Sequence, residues 1–350
     1  MLLKRGLCKV IDPSRIDIVI TDSQAGKADL ADLRRGGERV LPAAVNVRQE
    51  FVLMSLKAVA DMVNGAMAGG YAVGYFESWN LESLQGVIDA AELTRSPVLI
   101  GFNGEFLSHA GRLTQERLGW YAALAKAAAE SSTVPCGLVF NECAQDDWCR
   151  QAVDAGFGLI MLDDPDCPRE QMVRRVAELT EYAHRHNVAS EAEVGELPFG
   201  PGQHANAERE MTQPDEAAEF VQRTGVDILG ISVGNVHVLT KGRQKLDIGR
   251  IADIRRLVGI PFDLHGGTGI DSTSLGEAIR LGVAKVSYGT YMKQRYLAAI
   301  AQTLAQADAT ANPHKSLGMG QSDDLLVAGR LAVRDAVLER IPALGCCGRA

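Results

Sequence analysis

The chain lacks several things that would have decided its class at once. No apolar stretch in its 350 residues approaches the length needed to span a membrane. Met1-Leu-Leu-Lys-Arg-Gly-Leu-Cys8 holds too short an apolar run for a signal peptide. It has no excess of positive charge. With 36 Lys and Arg against 44 Asp and Glu, the net charge of −8 argues against a nucleic-acid partner, which requires a basic stripe. None of the seven cysteines forms a Cys-x-x-Cys pair, so they read as reduced thiols of a cytoplasmic protein. Cys346-Cys347 reads as part of a frayed tail. No Gly-x-Gly-x-x-Gly follows the first strand of the repeating region, which disfavours a dinucleotide-binding open sheet.

What is present is a rhythm. From about residue 56 short apolar runs alternate with amphipathic stretches, as strands buried on both faces alternate with helices. Eight strands are expected, at Tyr71–Phe76, Pro97–Phe102, Cys136–Phe140, Gly158–Leu162, Val188–Glu193, Asp227–Val233, Pro261–His265 and Ala284–Tyr288. Helices are expected at Asn80–Thr94, Gln115–Glu130, Asp146–Ala155, Arg169–His186, Pro214–Thr224, Ile248–Val258, Asp271–Leu281 and Tyr291–Ala305. In the first of these Asn80 is a natural N-cap, and Leu81, Leu84, Ile88 and Ala91 form the apolar stripe. Eight βα units close most naturally into a (β/α)8 TIM barrel over residues 56–350. Residues 1–55 do not fit the rhythm and are expected to form an N-terminal extension packed on the barrel. In it Ser14-Arg-Ile-Asp-Ile-Val-Ile20 alternates as a half-exposed strand does, and Asp29 to Val40 reads as a short helix and loop.

In such a barrel chemistry sits at the C-terminal ends of the strands. Those ends carry Glu77, Asn103, Asn141 with Glu142, Asp163, Glu191 with Glu193, His237, His265, and Ser287 with Thr290. A carboxylate with two imidazoles is a ligand set of catalytic zinc. Glu142 is the first choice for the carboxylate and Glu193 the second, beside His237 and His265. The alternative is that both histidines are satisfied by neighbouring polar groups without a metal. Gly266, Gly267 and Thr268 after the seventh strand, with Thr290 after the eighth, form the loops where barrel enzymes hold phosphate. His109, His184, His186, His204 and His314 fall on helices or loops and read as solvated.

These residues, read together, resemble the class II (metal-dependent) fructose- and tagatose-bisphosphate aldolase family. The resemblance runs from about Met54 to the C-terminus. It is carried by Gly70-Tyr-Ala-Val-Gly74, Ser96-Pro-Val-Leu-Ile100, Ala155-Gly-Phe157, Met161-Leu-Asp163 and Glu191-Ala-Glu-Val-Gly195. It continues through Thr224-Gly-Val-Asp227, Lys245-Leu-Asp247, His265-Gly-Gly-Thr-Gly269 and Gly282-Val-Ala-Lys285, and ends in Leu344-Gly-Cys-Cys-Gly-Arg-Ala350.

The resemblance implies a divalent cofactor, expected to be zinc. It also implies a small carbonyl or sugar-phosphate substrate and a homodimer or homotetramer, with no nucleic-acid or membrane partner. It also shows departures. Where the family's third strand ends in His-x-Asp-His, this chain has Val139-Phe-Asn-Glu142. Asn141 thus stands in the place of the catalytic acid–base aspartate, and Glu142 in that of a zinc histidine. Glu77 replaces an asparagine, Asn103 a serine and Ser287 a substrate-binding asparagine. Thr268 replaces a phosphate-binding serine, and Val238 a glycine. His237, His265, the glycines after His265 and Thr290 match. The expected activity is a metal-dependent aldolase-type lyase, with a substrate other than fructose 1,6-bisphosphate. Its acid–base role then passes to Glu77, Asp163 or another carboxylate at the mouth. The alternatives are a catalytically silent paralogue that binds a sugar phosphate or a protein, and a metal-dependent isomerase.

Overall fold

The computed structural model describes residues 2–4, 7–9, 18–21, 39–42, 55–195, 197, 211–236, 242–307 and 312–350. Two compact units divide the chain, Met1–Met54 and Ser55–Ala350. In the first unit the strands Leu2–Lys4, Leu7–Lys9, Ile18–Thr21 and Arg39–Pro42 pair in chain order. The first three are antiparallel, and the last runs parallel to the third. The stretch read as helix and loop up to Val40 therefore ends in a strand, while its earlier part lies outside the described residues.

The second unit is a closed barrel of eight parallel strands. They are β1 Val73–Ser78, β2 Val98–Asn103, β3 Cys136–Cys143, β4 Leu159–Leu162, β5 Ala189–Val194, β6 Ile228–Ile231, β7 Phe262–Leu264 and β8 Val283–Tyr288. β8 closes on β1 through Lys285 opposite Val73 and Tyr288 opposite Phe76. Expectation and structure agree on the (β/α)8 barrel and on the place of every strand.

Helix α1 (Val59–Gly69) precedes the barrel. Its Val59, Met62, Val63 and Ala66 pack with Val73, Leu99, Val139, Leu159, Ala189 and Ile228 from inside the barrel. A Cβ on Gly137 would meet Val59 Cγ2 at 2.9 Å, so α1 lies under the strands' N-terminal ends and plugs them. Full burial of each such aliphatic side chain contributes about 1.5–3 kcal/mol. Layers of inward side chains are then stacked above this apolar floor. Tyr75, Glu191, Asp263 and Lys285, all buried, come next, and the strand-end residues cover them.

Around the barrel run α2 (Leu81–Thr94), α3 (Gly104–Ser108), α4 (Leu118–Ser131), α5 (Asp146–Ala155), α6 (Arg169–Arg185) and α7 (Pro214–Thr224). They are followed by α8 (Ile248–Leu257), α9 (Ser272–Arg280), α10 (Thr290–Gln306), α11 (Pro313–Ser316) and α12 (Leu325–Arg340). Asn80 caps α2 in a reciprocal box with Ser83. The stripe of α2 is rotated from expectation. Leu81 is exposed, and the buried face is Leu84, Val87, Ala90 and Ala91. The C-terminus is not frayed. Ala72 N–H donates to Leu344 O, Gly348 N–H to Thr94 O and Ala350 N–H to Arg95 O, which buries Cys346. Among the described residues no helix is long and apolar enough to cross a membrane.

Candidate active site

His265 follows β7 directly, almost fully buried, with both ring nitrogens engaged by carboxylates. Nδ1 lies 2.7 Å from Glu142 Oε1. Nε2 lies 3.0 Å from Asp263 Oδ2 and 3.1 Å from Glu191 Oε1. Burial alone would lower the pKa of this imidazole, but Asp263, Glu142 and Glu191 outweigh it and hold it well above the usual value.

Glu142 reaches His265 by an unusual route. Along β3 the inward positions alternate through Val139 and Asn141, so the next residue should face outward. Instead the register shifts between Phe140 and Cys143, and Glu142 takes a left-handed φ of 46°. For a side chain with a Cβ that conformation costs on the order of 1–3 kcal/mol, the kind of strain found at functional sites. Asn103 steadies the result. Its Nδ2 donates to Glu142 Oε2 at 2.5 Å, while its Oδ1 caps α3 through Phe106 N–H.

Beneath His265 lies a group that strand-end reasoning missed. Lys285, fully buried, places its ammonium 2.8 Å from Asp263 Oδ2, 2.9 Å from Glu191 Oε2 and 3.0 Å from Ser287 Oγ. Ser287 Oγ donates in turn to Asp263 Oδ2 at 2.8 Å, so its hydroxyl is committed to this network. Burial would raise Asp263, but Lys285 and His265 hold it below the ordinary carboxylate range. Burial raises Glu191 despite Lys285. The visible signal was a charged residue two places before each strand-end residue, Asp263 before His265 and Lys285 before Ser287. Asn235 was also missed. It donates to the carbonyls of His265 and Ile231 and accepts from Val233 N–H, fixing β7's end against the loop after β6.

The other mouth carboxylates repel one another. Burial, then Glu142, pushes Asp163 up to about 6, with His265 opposing. Burial, with Asp163 and Glu142 behind it, takes Glu193 to about 8. Glu77, buried, is raised by desolvation, and its ion pair with Lys293 opposes that. Asn141 is buried and, among the described residues, its Oδ1 and Tyr75 Oη have no partner.

On the β7–β8 side Gly266 adopts a left-handed φ of 68° that starts the turn Gly267–Gly269. A Cβ on Gly267 would lie 2.8 Å from both Tyr288 and Val286, so only glycine lets this turn approach β8. Tyr291 N–H donates to Thr268 Oγ1 at 3.4 Å, bringing Thr268 to the start of α10, whose first residue is Thr290. His237 and Val238 lie outside the described residues, as does His204. His109, His184, His186 and His314 are exposed, as expected.

One acidic cluster with a histidine has donors of the kind a divalent cation takes. Glu191, Asp263 and His265 offer ligand atoms within 4.8 Å of one another, and Asp263 Oδ1 has no partner among the described residues. Lys285, however, occupies the space between Glu191 and Asp263, and its ammonium repels a second cation there. The Nδ1 face of His265 is turned instead toward Glu142. With Nε2 protonated, Asp263 and Glu191 orient the ring as carboxylates behind metal-bound histidines do.

Comparison with known proteins bears on the family and the fold. The family described as fructose-bisphosphate aldolase class-II matches residues 57–349. A fructose-bisphosphate aldolase of Geobacillus stearothermophilus is 33% identical over 302 residues, covering 85% of this chain and 99% of that protein. The crystal structure of the YdjI aldolase of Escherichia coli K12 superposes with a TM-score of 0.70 at 28% identity, covering 84% of this chain and 99% of that one. A structure described as a putative fructose-1,6-biphosphate aldolase from Coccidioides immitis shares the fold, with a TM-score of 0.69 at 24% identity over 83% of this chain and 97% of that one. The chain belongs to the class II fructose-bisphosphate aldolase family.

Proposed function

We propose that the protein is a metal-dependent aldehyde-lyase that breaks or forms a carbon–carbon bond in a ketose phosphate other than fructose 1,6-bisphosphate. The observation that carries this reading is the two-sided environment of His265. Nε2 is held from below by Asp263 and Glu191, and Nδ1 faces Glu142 at 2.7 Å. Glu142 and His265 would hold the cation, with Glu193 and His237 completing the set, and zinc suits these ligands. A divalent cation there supplies Lewis acidity to the ketone oxygen of the substrate.

The chain's own residues supply the proton traffic. In the cleavage direction Asp163, whose carboxyl titrates near 6, accepts the proton of the hydroxyl two carbons from the ketone carbon. The bond between the intervening carbon and the hydroxyl-bearing one breaks, and its electron pair passes into the ketone half. The other half leaves as an aldehyde. The proton returned to the remaining carbon regenerates the ketone. Asn141 has no exchangeable carboxyl proton, and its Oδ1, without a partner among the described residues, would accept a hydrogen bond from a substrate hydroxyl. Gly266, Gly267, Thr268 and Thr290 offer N–H and hydroxyl donors to the phosphate. Asn103 and Ser287 hold Glu142 and Asp263 in position. The test is retro-aldol cleavage of a series of ketose mono- and bisphosphates by zinc-loaded protein, followed by the appearance of a triose phosphate. Cleavage of a monophosphate supports the reading. Binding without cleavage of any member supports the silent paralogue, for which Asn141 is the argument.

A further inference from the structure

The strained end of β3 is tied to the end of β4 by a side chain from outside the barrel. Arg175 of α6, half-buried, spreads its guanidinium across the two loops that follow these strands. Nε and Nη2 donate to Asp146 Oδ1, at the first residue of α5, at 2.8 and 2.6 Å. Nη2 also donates to Ala144 O at 2.7 Å, and Nη1 to Asp164 Oδ2 at 2.5 Å. Ala144 stands two residues after Glu142, and Asp164 follows Asp163 directly. The same two segments are joined through the backbone, since Asp163 N–H donates to Cys143 O at 3.0 Å. On the opposite side Gln145 Nε2 donates to Ser108 O at 2.9 Å, at the end of the helix that Asn103 caps. The register shift in β3 and the left-handed φ of Glu142 therefore lie immediately before a segment bonded on both sides.

We propose that Arg175 is a positioning residue that holds the carboxyl groups of Glu142 and Asp163 in one arrangement across the ends of β3 and β4. This inference rests on the aldolase reading above and adds to it a residue outside the barrel mouth. Arg175 bonds the residues that flank the two carboxyl groups, one set on each strand end, and so acts through the backbone. A left-handed residue with a side chain persists only where its surroundings over-determine it. Without the bond to Ala144 O, the end of β3 is free to relax toward ordinary alternation, which turns Glu142 away from His265. The guanidinium suits the task because it is planar, and donors on three of its nitrogens fix Ala144, Asp146 and Asp164 relative to one another. A lysine ammonium keeps the charge without that fork.

Two double-mutant cycles on the full-length protein test this. The first uses retro-aldol cleavage by zinc-loaded protein. Arg175→Lys should lower kcat about tenfold and change KM by less than about twofold. In an Asp163→Asn background the same change should cost about threefold or less, because a residue acting through Asp163 then has less left to position. The second cycle is calorimetric titration of the metal-stripped chain with zinc, which needs no turnover. Arg175→Lys should weaken zinc about threefold or more, and should have no effect once Glu142 is replaced by alanine. Asp164→Asn, which removes one arm and leaves Arg175 in place, should lower kcat in the same direction and guards against a folding defect in Arg175→Lys. An ion pair that only joins α5 to α6 would lower the urea midpoint while kcat and zinc affinity of the folded protein stay unchanged, and that result overturns the proposal. So does a loss of kcat that is equally large with and without Asp163. If the wild type cleaves no ketose phosphate, the aldolase reading falls by itself. The zinc titration then still decides whether Arg175 holds Glu142, and an affinity that Arg175→Lys leaves unchanged overturns it.

Discussion

The two sides of the barrel mouth have diverged to different degrees. On the β5–β8 side Glu191, Glu193, His265, Gly266, Gly267 and Thr290 all lie in stretches that resemble the family's motifs, with Thr268 as a conservative replacement and Ser287 and Val238 as departures. On the β1–β3 side Glu77, Asn103, Asn141 and Glu142 all depart from that pattern. The structure shows these departures to be mutually fitted. Asn103 donates to Glu142, Glu142 meets His265, and Gly289 leaves room for Glu77 while Lys293 balances its charge. Asn141, the fourth departure, keeps a buried Oδ1 without a partner among the described residues.

The sharpest way to break the comparison is to remove its common centre. His265→Ala should lose stoichiometric zinc and lower kcat/KM by about three orders of magnitude or more, measured by metal analysis and steady-state kinetics on the same preparation. Next is the support beneath it. Lys285→Met should cost about 3–5 kcal/mol of stability, because Asp263 and Glu191 are left as buried uncompensated carboxylates. Urea unfolding reads this, and adding Asp263→Leu should recover part of the loss.

Asp163→Asn, on the altered rim, should lower kcat by about 10²–10³-fold while leaving the metal bound. The wild-type rate should rise as pH passes about 6, where Asp163 gives up its proton, and the variant should lack that limb. A smaller effect concerns the metal-stripped chain. Folded Asp163 keeps its proton to about pH 6 and Glu193 to about pH 8, whereas unfolded carboxyls release theirs near 4. The stability linked to these raised values is fully present below about pH 4 and is lost as pH rises toward 8. The melting temperature of the stripped protein should therefore fall across that range. Added zinc should offset the fall, since it favours the ionised carboxylates.

Much of this architecture could be read from the chain because its signals are local. The β strands are apolar runs with turn residues around them, and α5 and α7 begin and end where Asp146, Ala155, Pro214 and Thr224 place them. The start of β1 was read two residues early because Gly70 caps α1 in the left-handed region and draws Tyr71 back, its N–H bonding Ala66 O. The tail could not be read locally, since its partners Thr94 and Arg95 are some 250 residues distant. The same limit applied at the site. His265 and Glu142 stood out as strand-end residues, but their pairing depends on a register shift in β3 and a left-handed residue that no spacing rule foresees. Asp263 and Lys285 sit one layer deeper, where an alternating pattern marks them as inward but does not say that they bond each other.

The proposed function depends on Glu142 and His265 together retaining a metal site in which an imidazole has been exchanged for a carboxylate. Calorimetric titration of metal-stripped protein with zinc tests this most directly, run in parallel on the wild type, Glu142→His and Glu142→Ala. A carboxylate ligand lowers the net charge of the complex by about one unit relative to an imidazole, so Glu142→His should also bind, and its bound water should be the more acidic. One zinc per chain is expected in the wild type and in Glu142→His, with affinity lowered about tenfold or more in Glu142→Ala. No stoichiometric zinc in the wild type, or binding that Glu142→Ala leaves unchanged, would contradict it.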